Sequence, residues 1–255
     1  MRNKTLQRWA PFILLAIILV LWQFIVMGFS IPEFIFPSPW QIAQQFTEFG
    51  GPLLDAAWKT FWVTMLGFGL SIVVGVLLGF LVGSSRMAYS ALYPLLVAFN
   101  AVPKAAVVPI LVVWFGIGLG PGLLTAFLIS FFPITVNIAT GLATLEPELE
   151  DVLRVLGARR WDVLIKVGLP RSMPYFYGSL KVAITLAFVG TVLAEMTAGD
   201  SGIGYLMQTA GSQQRMSLAF AGLVTIGVMA MAMYELFSWV EKRTTGWAHR
   251  GSEAH

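Results

Sequence analysis

The sequence predicts an all-α integral membrane protein with six transmembrane helices in one domain. Of its 255 residues, 57% are hydrophobic and only 11% are charged, against about 25% charged residues in a soluble domain. Mean hydropathy is +0.79. Six apolar stretches each approach or exceed the roughly 20 residues that a helix needs to cross a bilayer. They lie at about 11–29, 61–83, 92–116, 121–143, 175–198 and 217–240, within a single transmembrane domain spanning 1–255.

The composition also excludes several classes of function. The chain has no cysteine, so it can form no disulfide and perform no thiol chemistry. Both histidines, His249 and His255, lie in the polar tail, which argues against a His-ligated metal site in the core. The net charge of +3 would suggest nucleic acid for a soluble domain. In an apolar chain the basic residues instead set membrane orientation, so we expect no nucleic-acid partner and no metal site.

The lysines and arginines predict the topology. With the N-terminus in the cytoplasm, twelve of the sixteen fall in cytoplasmic segments, whereas Lys59 and Arg215 alone fall outside. This asymmetry follows the positive-inside rule and places both termini in the cytoplasm. The first apolar stretch lacks an A-x-A cleavage site and continues to Phe29, which favours an uncleaved anchor over a cleaved signal peptide.

The outer segment 30–60 carries one helical signal. Ser38 can cap a helix that has Pro39 at its first position. Ile42, Phe46 and Phe49 then follow at helical spacing. The pattern fits a short helix on the outer membrane surface, with a packed loop as the alternative.

The second stretch carries small residues at every fourth position. Such a stripe lets another helix backbone approach closely. Its partner is either another span of this chain or a second subunit. The stripe consists of Gly67, Ser71, Gly75, Gly79 and Gly83.

The third stretch contains Pro94, Pro103 and Pro109. Each proline removes a helical hydrogen bond. Broken helices often line solute paths in transporters. A kink that only aids packing is the competing interpretation.

Five polar residues inside the spans are candidates for the translocation path. Ionisable groups in a membrane are costly, and they are usually functional or paired. The alternative is an internal Lys–Glu pair, or side chains that reach an interface. The candidates are Asn100, Lys104, Asn137, Lys181 and Glu195.

The cytoplasmic segment 144–174 carries the most specific pattern. Apolar residues from Leu149 to Leu156 and from Trp161 to Leu169 follow the spacing of one helix face. The turn Gly157–Arg160 separates them, and glycine suits it because it has no Cβ. We predict two short amphipathic helices that form an elbow. The elbow could dock onto a soluble partner or lie on lipid headgroups.

This segment resembles the EAA loop of ABC-importer permeases. That pattern reads Glu-Ala-Ala, three residues, Gly, nine residues, Ile, one residue and Leu-Pro. Here Asp151–Leu153, Gly157, Val167 and Leu169–Pro170 keep the spacing throughout, with Asp for Glu, Val-Leu for Ala-Ala and Val for Ile.

Further segments resemble the permeases for nitrate, sulfonates, taurine, bicarbonate and some pyrimidine precursors. The resemblance covers most of residues 35–240. These segments are Phe36–Pro39, Val102–Lys104, Trp114–Gly118, Leu156–Trp161, Ala194–Met196 and Gly202–Tyr205.

The resemblance implies a type I ABC-importer (MetI-like) permease fold in a bacterial inner membrane. It implies a transmembrane subunit that forms the path for a small polar or anionic solute. The implied partners are an ABC ATPase dimer, a second permease copy and an external solute-binding protein. ATP and magnesium would bind the ATPase, because this chain has no G-x-x-x-x-G-K-[ST] sequence. The implied ATPase-coupling residues are Asp151, Leu153, Arg154, Leu156, Gly157, Ala158, Arg159, Arg160, Trp161, Leu169 and Pro170.

Two other functions compete with this interpretation. A secondary transporter or channel would work without an ATPase. An intramembrane protease would need H-E-x-x-H, a serine with a histidine partner, or paired intramembrane aspartates, and the sequence has none of these. We therefore predict no catalytic residues in this chain.

Overall fold

The computed structural model of the chain describes residues 4–143, 155–157 and 160–245, and the elements in this part of the chain are helices. Five of them are long and apolar enough to cross a membrane, and two further helices bent by 82° count together as a sixth crossing. The helices are α1 (Lys4–Gly28), α2 (Pro39–Glu48), α3 (Gly50–Gly83), α4 (Arg86–Ala101), α5 (Lys104–Phe115), α6 (Leu119–Ala143), α7 (Arg160–Val163), α8 (Leu169–Ala198), α9 (Gly202–Ser212) and α10 (Met216–Thr244).

The glycine stripe of α3 packs against α6 of the same chain. A Cβ at Gly79 would lie 2.8 Å from the Cβ of Ile138, and one at Gly75 would lie 2.9 Å from the Cβ of Ile134. Contacts this short leave no room for a side chain at Gly75 or Gly79. Of the two partners that the spacing allowed, the structure therefore selects a span of this chain.

Hydroxyl groups join the same helices where the stripe and its neighbours carry serine or threonine. Ser71 and Ser130 share a hydrogen bond of 2.6 Å between α3 and α6. Thr64 donates to Thr191 over 2.9 Å and joins α3 to α8. Helices α3, α6 and α8 thus form the core of the bundle, with Phe188 of α8 only 1% exposed.

The predicted elbow runs directly into the fifth span. Helix α7 is followed by a π-helical turn, Leu164–Gly168, and then by α8 without a break. The second elbow helix, expected up to Pro170, and the fifth span, expected at about 175–198, are therefore parts of one continuous helical element. Pro170 lies where the π-helical turn passes into α8.

The predicted third span, 92–116, is two helices instead of one. Helices α4 and α5 meet at Val102–Pro103 and differ in direction by 82°. Pro94 and Pro109 lie inside these helices and do not interrupt them. The structure thus places one sharp bend at Pro103, and the role of this bend in a solute path stays a prediction.

Helices α1 and α2 lie at the edge of the bundle. In the apolar window of α1 only 6% of the residues are buried. The helix predicted after Ser38 is confirmed as α2, with Ser38 as its N-cap, and its position on the outer membrane surface stays a prediction. The Ser38 hydroxyl accepts the N–H of Gln41, whose side chain accepts the N–H of Ser38.

Candidate translocation path and coupling elbow

The break between α4 and α5 is stabilised by polar side chains next to Pro103. Val102 is extended, with φ −65° and ψ 127°, as the residue before proline prefers. The ammonium of Lys104 donates to the backbone carbonyl of Asn100 and, over 2.8 Å, to its side-chain oxygen. A carbonyl left free by the break is thereby satisfied. Helices α1, α4, α5, α6 and α8 contain other prolines, and these helices continue past them.

Helices α4 and α5 together are long enough for one membrane crossing. At 1.5 Å per residue, α4 and α5 are about 24 and 18 Å long, and an 82° bend gives about 32 Å from end to end. That length just spans a hydrocarbon layer of about 30 Å. Asn100 is exposed and Lys104 is half-buried, and no carboxylate of the described residues lies within 4 Å of the ammonium. A lysine in this position is costly unless water or another protein chain faces it.

Two other candidates for the translocation path, Lys181 and Asn137, form hydrogen bonds within the bundle. Lys181 of α8 donates to Glu241 of α10 over 2.6 Å, and their side chains are 18% and 13% exposed. Its ammonium also lies 5.8 Å from the centre of the Tyr234 ring. Asn137 is half-buried and donates to the carbonyl of Pro133 in its own helix over 2.8 Å. The sequence suggested a pair between an intramembrane lysine and Glu195, but Lys181 pairs with Glu241 instead.

Glu195 joins three helices at the end of the core that lies opposite the elbow. Its carboxylate is buried and accepts the Thr60 hydroxyl of α3 and the Gly204 N–H of α9, each over 2.9 Å. The Thr60 oxygen in turn accepts the N–H of Ile203 over 2.8 Å. Gly202 has φ +91°, and a Cβ there would lie 2.3 Å from the carboxylate. Thr60 had no signal in the sequence, since threonines are common in apolar helices.

A cavity of about 350 Å³ adjoins this carboxylate. Trp58 and Trp62 form one wall, with their rings at 89° and their centres 5.5 Å apart. The turn between α5 and α6 and the end of α8 complete the lining. Lys59 and Asp200 also line a second cavity, of about 290 Å³, which α9 borders.

The tip of the elbow is exposed at Val155–Gly157, whereas Val163 of α7 is buried. Gly157 has φ +87°, the conformation for which glycine was expected, and a Cβ there would contact nothing within 4 Å. Leu156 is 77% exposed, and Pro170 is exposed in the first turn of α8. Arg160 and Trp161 begin α7, and Leu169 begins α8. The remaining coupling candidates, Asp151, Leu153, Arg154, Ala158 and Arg159, lie outside the described residues.

Long apolar helices around a core, with a polar break in one crossing, are the architecture of a multi-pass membrane protein of the transporter class. Over residues 71–246 the chain matches the family described as "Binding-protein-dependent transport system inner membrane component", and it belongs to that family. It is the transmembrane permease component of an ABC importer.

Relatives of similar length agree with this assignment. A probable ABC transporter permease protein of Haemophilus influenzae is 31% identical over 91% of this chain and 95% of its own. The riboflavin transport system permease protein of Chloroflexus aurantiacus is 32% identical over 96% and 94%. The taurine transport system permease protein of Escherichia coli is 26% identical over 91% and 87%.

A solved structure shares the fold. The methionine ABC transporter MetNI in an inward-facing conformation matches with a TM-score of 0.66 and 18% identity. The match covers 76% of this chain and 96% of the other chain. The MetI-like permease fold expected from the sequence is therefore confirmed.

Proposed function

We propose that this permease carries a small polar or anionic solute along a path that passes the α4–α5 break. The observation that supports this is the position of Lys104, a cation at the break of a membrane crossing. Its bound oxygens are neutral and belong to Asn100. Because the ammonium has no carboxylate partner within 4 Å among the described residues, its charge remains available to an anionic group.

The exposed face of this break requires a neighbour. None of the residues of α4 is buried, and Val113 and Trp114 of α5 are 82% and 70% exposed. Lipid can cover the apolar residues but not the ammonium of Lys104. A second copy of the permease, facing the first across a water-filled path, would cover both. We propose a homodimer arranged in this way, with both termini of each chain in the cytoplasm.

The elbow is the proposed contact with the ATPase. Leu156 and Val155 are 77% and 88% exposed, which is unusual for apolar residues next to a charged turn. Large apolar residues that become buried dominate such contacts. Helix α7, the π turn and α8 form one continuous element from the elbow to the outer end of the core. Movement of the elbow would thus be transmitted to the core, while ATP and magnesium bind the ATPase and an external binding protein delivers the solute.

Co-purification tests the coupling role directly. The tagged chain is extracted in mild detergent, and the associated ATPase subunit is measured for the wild type and for Gly157→Asp. A Cβ at Gly157 meets nothing of this chain within 4 Å, so the strain of its positive φ stays confined to an exposed turn and the variant is expected to insert and fold. We expect it to lose the ATPase and all ATP-dependent uptake.

Gly116 provides the matched control. It also has a positive φ, +77°, and open space around its Cβ position, but it lies between α5 and α6 at the opposite end of the bundle. Gly116→Asp should retain the ATPase. Equal retention by both variants would contradict the docking role, and a wild-type chain that transports without any ATPase would identify a secondary transporter or channel.

A further inference from the structure

The strongest polar cluster outside the break lies around Glu195. Its carboxylate is 8% exposed and accepts both the Thr60 hydroxyl and the Gly204 N–H. Thr60 is fully buried and accepts the N–H of Ile203 through the same oxygen. The two side chains together therefore satisfy two of the first N–H groups of α9, which have no partner within the helix itself. A carboxylate at a helix N-terminus is also favoured by the helix dipole.

The backbone of α9 is fitted to this carboxylate. A Cβ at Gly202 would lie 2.3 Å from the carboxylate, and one at Gly204 would lie 2.5 Å from the carbonyl oxygen of Val192. Neither position can hold a side chain unless α9 moves away from α8. Gly202 and Gly204 thus leave the space that the Glu195 side chain and the α8 backbone occupy. Glu195 lies seven to nine residues before them in the chain.

Helix α9 lines the cavity of about 290 Å³ with Tyr205 and Thr209, and it covers the core at Thr60. Ser201, just before α9, borders both this cavity and the cavity of about 350 Å³. Ile203 is fully buried against Ala57 of α3. If α9 lifted, the cavity that it lines would widen and this end of the core would open to water.

We propose that Thr60 and Glu195 are positioning residues that hold α9 as a seal over the outer end of the translocation path. Glu195 then contributes to transport through the placement of α9 and makes no contact with the solute. Only the expected effect on uptake rests on the proposed transport function. The placement of α9 is measured independently of transport.

Cysteine labelling measures that placement, because the natural chain has no cysteine. Ala57→Cys adds one atom at a residue that is 8% exposed beneath Ile203. In sealed membrane vesicles that contain the assembled transporter, a membrane-impermeant maleimide is applied from the outer side. We expect Thr60→Val to increase the labelling rate of Cys at this position at least tenfold, and Thr60→Ser to restore the slow rate.

Thr64 provides the matched control. It is also fully buried, lies one turn further along α3 and joins the same two helices through Thr191, but it has no hydrogen bond to α9. Thr64→Val should leave labelling slow. Equal labelling rates in Thr60→Val and Thr64→Val would overturn the proposal, because the two hydroxyls would then serve only to join α3 and α8.

A second pair of variants tests the same placement from the side of α9. Gly204→Ala places a methyl group against Val192 and should accelerate labelling, whereas Gly211→Ala on the same helix has open space and should not. Equal slow labelling in these two variants would also overturn the proposal. If Glu195→Gln lost uptake while labelling stayed slow, the carboxylate charge would act on the solute and the positioning role would be wrong. Absence of ATP-driven uptake in the wild type would contradict the proposed function and leave the labelling result intact.

Discussion

The α3–α6 interface and the α4–α5 break are opposite arrangements of membrane helices. At the interface, Gly75 and Gly79 bring two backbones so close that a single methyl group does not fit. At the break, Asn100 and Lys104 replace helical hydrogen bonds and remain open to their surroundings. Close packing with satisfied hydroxyls produces a body that moves as a unit. An exposed cation in the membrane marks a surface that needs water or a second chain.

The largest expected effect comes from filling the packed interface. Gly79→Leu would place its Cβ 2.8 Å from both Ile138 Cβ and the Thr135 carbonyl oxygen. Because one of these atoms belongs to the backbone, the helices must separate, at a cost of at least about 3 kcal/mol. We expect no folded protein by size-exclusion chromatography in detergent. Gly69→Leu, on the same helix with nothing within 4 Å, should fold, and failure of both would mean that the contact with α6 is not what prevents folding.

The next effect concerns the cation at the break. Lys104→Gln keeps a donor for the Asn100 oxygens but removes the charge, so the chain should fold and assemble. We expect uptake of the solute in proteoliposomes to fall about tenfold if one lost charge contact costs about 1.4 kcal/mol. Lys104→Arg should retain most of the uptake. Full uptake by Lys104→Gln would show that the charge of Lys104 does not contribute to transport.

The smallest effect on uptake is expected from the ion pair between Lys181 and Glu241, whose loss lowers the stability of the protein. Both side chains are largely buried, so removing one partner leaves a charge in an apolar environment. Because the pair retains some exposure, we expect Lys181→Met to destabilise the protein by about 2 kcal/mol, measured by thermal unfolding in detergent. The double variant with Glu241→Gln should recover part of this loss. Additive losses would show that the two residues act independently.

The sequence predicted the features that depend on spacing. Residues four apart defined the stripe of α3, and Ser38 with Pro39 defined the start of α2. The identity of the stripe's partner could not follow from spacing, because a pattern within one helix defines a face and says nothing about what contacts it. Only the distances from Gly79 to α6 distinguish a span of the same chain from a second subunit.

Two features of the candidate sites were beyond the sequence for definite physical reasons. Three prolines in one stretch are chemically alike, and the break forms at Pro103, where Lys104 can reach the Asn100 carbonyl. Thr60 binds a carboxylate 135 positions away, and a hydroxyl in an apolar helix carries no local signal of such a partner. Glu195 followed by two closely spaced glycines was the available indication that a helix start lies nearby.

Accessibility at the break tests the central claim most directly. The measurement compares Val102→Cys at the break with Leu77→Cys on the outer face of α3. The natural side chains at these positions are 48% and 65% exposed in the isolated chain. A water-soluble maleimide applied to the assembled transporter, in inside-out and right-side-out vesicles, distinguishes water from lipid. We expect the cysteine at 102 to be labelled in at least one orientation and the cysteine at 77 to remain unlabelled in both. Labelling at 77 with none at 102 would place the break against lipid or protein and contradict the proposed path.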